Sequence, residues 1–159
     1  MATLVVDVQV ACDEPGIPSD ADIHDWVEAA IRRSGRSASK AVEVAVRIVD
    51  ADEIRGLNRR YREQDKATNV LSFPAGEIDG LPDDTNRLLG DVVICASVVA
   101  MEADEQGKAL ADHWGHMLVH GTLHLLGFDH EMDVQAAEME ALETIILNAH
   151  NVTDPYAGS

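Results

Sequence analysis

Hydrophobic positions along this chain change period several times, and each change marks an element. Val42, Val44, Val46 and Ile48 alternate with polar or small residues, the period of two that predicts a strand with one buried face. Leu4 to Val10 alternates less cleanly and reads as a second strand. Between them Ile23, Trp26, Val27, Ala30 and Ile31 share one helical face, and Asp20 stands where a capping side chain would start that helix. Asp50 caps a short helix to about Arg59, with Ile54 and Leu57 inward. Asn69 to Phe73 is a short strand stopped by Pro74, which suits a sheet edge because proline has no N–H for a central ladder. Residues 75–87, rich in Gly, Pro and Asp, read as a mobile loop. Asp91 to Ile94 forms another apolar strand, followed by a helix from Ser97 to Gln106 that Gly107 ends. A helix capped by Asp112 runs to Leu126, and Asp133 begins the last one, with Val134, Ala137, Leu142, Ile145 and Ile146 inward. Residues 1–150 therefore make one α+β domain, a short four-stranded mixed sheet packed against about five helices, with 151–159 a frayed tail.

Composition narrows the setting. A chain of 159 residues is long enough to bury a core without staples. It has no apolar run of about 18 residues that would read as a membrane span, and its N-terminus, with Asp7 and no basic lead, is no signal peptide. Two isolated cysteines, Cys12 and Cys95, make no disulfide framework. A cytoplasmic protein is expected. The net charge of −17 opposes a polyanionic partner over most of the surface. Its distribution softens that: Arg55, Arg59, Arg60, Arg62 and Lys66 are five of the twelve basic residues, whereas residues 81–159 hold only Arg87 and Lys108 against fourteen acids. A phosphate chain would have to be met mainly by the 55–66 stretch.

The chemistry lies in His120-Gly-Thr-Leu-His124-Leu-Leu-Gly127-Phe-Asp-His130. His120 and His124, four apart on a helix, can converge on one ion. His116 is about 12 Å along the axis from His124 at ~1.5 Å per residue, too far to join both in bonds of roughly 2 Å. A third ligand must come from chain that has turned back; Gly127 can make the turn, and His130 follows it. Three neutral nitrogen donors with an open position are the pattern of a catalytic zinc site, one ion per chain. The spacing equals that of the metzincin peptidases, but Gly121 stands where those enzymes carry a general-base glutamate. His113, His116, His120 and His124 fall within an ~80° arc at 100° per residue. His116 is thus a candidate for substrate binding or proton donation, while His113, in the first turn, reads as a surface residue.

These residues resemble the YbeY family of bacterial endoribonucleases and ribosomal RNA maturation factors. The likeness continues upstream in Leu57-Asn58-x-x-Tyr61-Arg62, Thr68-Asn69-Val70-Leu71-Ser72-Phe73-Pro74 and Leu89-Gly90-Asp91-Val92-x-Ile94, spanning roughly residues 45 to 131. The resemblance implies a metal-dependent endoribonuclease that prefers single strands, with zinc the usual metal. Its implied setting is 16S rRNA 3′-end maturation and ribosome quality control, with an rRNA precursor, the small ribosomal subunit and its assembly factors as partners. The family arginine of the Tyr-Arg pair corresponds to Arg62. Zinc lowers the pKa of its water to about 7, so no carboxylate base is needed. Arg62 is the candidate cation for charge developing on the phosphate. Gly121 would leave room for a phosphodiester, and the strand carrying Ser72 would wall the groove. Arg59 and Arg60 are candidate backbone contacts, and Asp129 either orients a ligand or caps a helix. Two other readings stand beside this one: a zinc peptidase-like hydrolase, and a ribosome assembly factor whose metal is mainly structural.

Overall fold

A computed structural model describes residues 3–35, 41–75, 87–128 and 133–150. The elements run β1 (Thr3–Val10), α1 (Asp20–Ser34), β2 (Ala41–Val49), α2 (Ala51–Arg62), β3 (Val70–Pro74), β4 (Arg87–Cys95), α3 (Ala96–Gln106), α4 (Leu110–Leu125) and α5 (Asp133–Ala149). The expected loop at 75–87 and the tail at 151–159 fall almost wholly outside the described residues. The sheet is mixed, in the order β1-β2-β4-β3. β1, β2 and β4 are parallel, and β3 alone runs antiparallel, on β4. None of the described helices is long and apolar enough to cross a membrane.

β3 is an edge strand, as Pro74 requires. Its end bonds fix its polarity: Cys95 N–H donates to Asn69 O at 2.9 Å, and Ala75 N–H to Leu89 O at 2.9 Å. Ladder bonds thus fall on odd-numbered residues, so the backbone groups of Val70, Ser72 and Pro74 point to the open edge. Pro74 forfeits no ladder bond there.

One face of the sheet meets α1, α3 and α4. Ile23 and Val27 pack there with Val44, Val46, Ile48, Val92, Ile94, Trp114 and Leu118. α2 covers the other face through Ile54, against Val49, Leu71, Val93 and Cys95, with Phe73 at the margin. α5 makes a further layer over α1 and α4 through Met139, Ile146 and Leu147. α4 is therefore enclosed between sheet and α5, which is why most of its residues are buried, histidines among them.

Three local expectations change. Ser19, not Asp20, caps α1, its Oγ accepting from Asp22 N–H at 3.2 Å. α4 begins at Leu110 with no side-chain cap, because Leu110 packs on the core and burial outweighs capping; Asp112 sits in the first turn, where its charge still suits the helix dipole. Along α5, Ile146 and part of Leu142 face inward, but Ala137 is exposed and Ile145 is 53% exposed. The helix turns instead so that Met139 and Glu143 enter the interior. Asp50 caps α2 as expected, accepting from Glu53 N–H at 2.9 Å.

Candidate metal centre and cleft

Gly121 sets how closely α4 approaches the sheet. A Cβ there would lie 2.7 Å from Val92 Cγ1 and 3.2 Å from Val70 Cγ2. Ser72 Oγ donates to Gly121 O at 2.9 Å, tying the edge strand to the helix at the same point. The expectation that Gly121 leaves room for a phosphodiester is corrected: the missing side chain makes room for β3 and β4. Valine is stiff about χ1, so Val92 cannot yield cheaply. Gly121→Ala is expected to cost about 1 kcal/mol in urea unfolding, overpacking of ~1–3 kcal/mol outweighing alanine's helix preference. Gly121→Glu, the change that would restore a peptidase motif, should cost about 3 kcal/mol or more because it also buries a carboxylate. A Gly121→Glu protein as stable as wild type would refute this packing role.

The histidines of α4 divide by depth. His124 and His120 are half-buried, and their Nε2 atoms lie 3.2 Å apart. His120 Nδ1–H donates to Glu143 Oε1 at 2.5 Å. A carboxylate only accepts, so this bond places the proton of neutral His120 on Nδ1 and turns the Nε2 lone pair toward His124. His116 lies behind them, 9% exposed, with Nε2–H donating to Glu143 Oε2 at 3.2 Å. His116, His120 and Glu143 form a group that could hold a metal, with donor atoms within 4.8 Å of one another. Gly127, with φ 95°, ends α4 in the left-handed region, and Phe128 N–H donates back to Leu123 O at 3.1 Å. Asp129 and His130 lie outside the described residues.

His113 is buried, not on the surface, at 2% exposure. Its Nε2–H donates to Glu102 Oε1 at 3.0 Å. Burial pushes its pKa below the ordinary histidine value, against the upward pull of Glu102. Glu102 also accepts from Asn69 Nδ2 at 3.1 and 3.2 Å, so this pair braces the start of β3.

A cleft of about 560 Å³ opens beside the half-buried histidines, lined by Arg62, Ser72, His120, His124, Gly127 and Phe128 among others. Arg62 reaches it from the last turn of α2. The helix ends in a left-handed turn at Glu63, φ 57°, closed by buried Asn58, whose Nδ2 donates to Lys66 O at 2.9 Å. Arg62 then donates to Ser72 O at 2.7 Å, the carbonyl aimed at the open edge, and to Tyr61 O at 3.2 Å. Its guanidinium lies over Phe73, 4.8 Å from the ring centre. Of the sequence candidates, the fold brings His120, His124, Ser72 and Arg62 to one cleft. Arg59 and Arg60 are exposed on α2 outside its lining, and His116 stands behind it.

Glu143 escaped the sequence reading altogether, although it is fully buried. Its signal was present: one acid interrupts the stripe Met139, Ile146 and Leu147. A lone carboxylate on an apolar helical face needs buried donors, and a histidine-rich helix is the obvious source.

Comparison with known proteins follows the same lines. Residues 9–151 match the family model described as "Endoribonuclease YbeY". The chain is similar to a Psychromonas ingrahamii protein described as endoribonuclease YbeY, 50% identical over 154 residues and 96% of each chain. A Halorhodospira halophila protein of the same description is 55% identical over 139 residues, covering 87% of this chain and 88% of that one. Among solved structures, a solution structure of a Thermotoga maritima protein shares the fold with TM-score 0.55 at 24% identity, covering 96% of this chain and 99% of that one. The family match takes in every described helix and strands β2, β4 and β3, though only the last two residues of β1, so the chain belongs to the endoribonuclease YbeY family.

Proposed function

We propose that this protein is a zinc-dependent endoribonuclease that prefers single strands and acts in 16S rRNA 3′-end maturation and ribosome quality control, in the cytoplasm and on the small ribosomal subunit. The observation that carries the metal assignment is the 3.2 Å approach of His120 Nε2 and His124 Nε2. Two nitrogens held ~2.0–2.1 Å from one tetrahedral ion lie about 3.3–3.4 Å apart, so the pair fits zinc as it stands. Behind it, Glu143 fixes the tautomer that leaves Nε2 available, the usual support of a ligating histidine. His120 and His124 would hold the ion, with His130 as third ligand and one ion per chain.

The alternative group of His116, His120 and Glu143 fits the same chemistry less well. Both Glu143 oxygens already accept from these histidines, and neither His116 nor Glu143 lines the cleft where a substrate would enter. Zinc, when bound, supplies Lewis acidity that activates water near neutral pH without a carboxylate base. The chain's own residues do the rest. Glu143 holds His120 in register, and Arg62 offers a planar fork to two phosphate oxygens at the cleft mouth. Ser72 ties the groove wall to α4 and gives Arg62 its anchor. The peptidase reading loses its support at Gly121, where the sheet fills the space a base would need.

The decisive experiment combines metal content by mass spectrometry with cleavage of an rRNA fragment bearing single-stranded segments, with and without small subunits. About one zinc per chain and cleavage that chelator abolishes and zinc restores are expected. Metal-free protein that cleaves at the same rate would overturn the reading.

A further inference from the structure

We propose that Tyr61 is a stacking platform for one unpaired nucleobase beside the phosphate held at Arg62, an inference that rests on the ribonuclease reading above. A single exposed hydrophobic side chain is ordinary, and what singles out Tyr61 is its aromatic ring and its neighbours. The chain has only two each of Phe, Trp and Tyr, and Tyr61, 54% exposed, is the one exposed aromatic among the described residues. Its ring is held by two neighbours, and about half of the residue's surface stays exposed. Phe73 meets it edge-on at 5.3 Å and 69°, and Arg60 approaches to 6.0 Å from the ring centre. Arg62 lies over Phe73 in turn, so an aromatic and cationic row leads over the β3 edge into the cleft.

Charge selects the occupant. Arg55 is committed to Asp65 at 2.8 Å, and that guanidinium holds the Asp65 carboxyl below its usual range. Arg59, Arg60, Arg62 and Lys66, against Glu63 alone, leave this the most basic stretch of a chain whose net charge is −17. An apolar peptide would gain nothing from four cations, whereas a single strand offers phosphates for them and an unstacked base for the ring. A base within a duplex has no free face, so this platform would supply the preference for unpaired RNA.

The test measures binding of the full-length protein to a short single-stranded oligoribonucleotide and to copies abasic at each position in turn. Tyr61→Ala should weaken binding about tenfold, while Tyr61→Phe, which keeps the ring, should bind as wild type. One abasic position should weaken wild-type binding by a similar factor and cost Tyr61→Ala nothing further. Equal abasic penalties in wild type and Tyr61→Ala would overturn the platform, whatever the affinity of the variant. Cleavage separates this from the parent reading. Wild-type cleavage with an unaltered abasic profile in Tyr61→Ala removes the platform alone, and absence of RNA cleavage by the zinc-loaded wild type removes both.

Discussion

His124→Ala should yield folded protein that has lost its zinc, falling from about one ion per chain to a small fraction, with cleavage lost in parallel. Two nitrogen ligands cannot hold the ion against buffer, and the fold should survive because His124 is half-buried in the last turn of α4. His116→Ala discriminates between the two donor groups. If the ion sits between His120 and His124, His116→Ala keeps most of its zinc. If it sits among His116, His120 and Glu143, His116→Ala strips it and His124→Ala does not. Glu143→Gln extends the test to the support. The amide still offers one acceptor, but it can no longer take both N–H groups as a carboxylate does. Zinc affinity should fall about 10- to 100-fold, as for other lost supporting partners. Full occupancy in the His120→Ala, His124→Ala double variant would sink the assignment.

What could be read from the sequence follows how local each signal is. The strand of Val42 to Ile48 and the edge strand ending at Pro74 were legible because period and proline act within a few residues. The convergence of His120 and His124 needs only a helix, and the turn at Gly127 only a glycine. His113 was misread because its burial depends on α3 and the residue just before β3, which supply Glu102 and Asn69. Gly121 was misread for the same reason: an absent side chain looks alike whether it faces solvent or another strand, and Val92 decides which. Glu143 is 23 residues from His120, and only the rotation of α5 brings them together. In each case the missing information was tertiary, and in each it concerned what stands behind the cleft and not what faces it.

Arg62→Ala should lower kcat by about 2–4 kcal/mol of transition-state stabilisation, roughly 30- to 1,000-fold, with zinc content and unfolding midpoint unchanged. The separation follows from where Arg62 stands. It lies on the exposed end of α2, bonded to Tyr61 O and Ser72 O, and removing it leaves those carbonyls to water. Its value is therefore not in the fold. Stacking on Phe73 and the 2.7 Å bond to Ser72 O hold the guanidinium at the cleft before substrate arrives, so little side-chain entropy remains to be lost when charge develops. Arg62→Lys should recover only part of the loss. An ammonium cannot keep one donor on Ser72 O while presenting a planar pair to two phosphate oxygens. Arg59→Ala and Arg60→Ala, outside the cleft lining, should act on binding and its salt dependence while leaving kcat close to wild type. The assignment fails if Arg62→Ala cleaves at the wild-type rate while Arg59→Ala or Arg60→Ala is inactive.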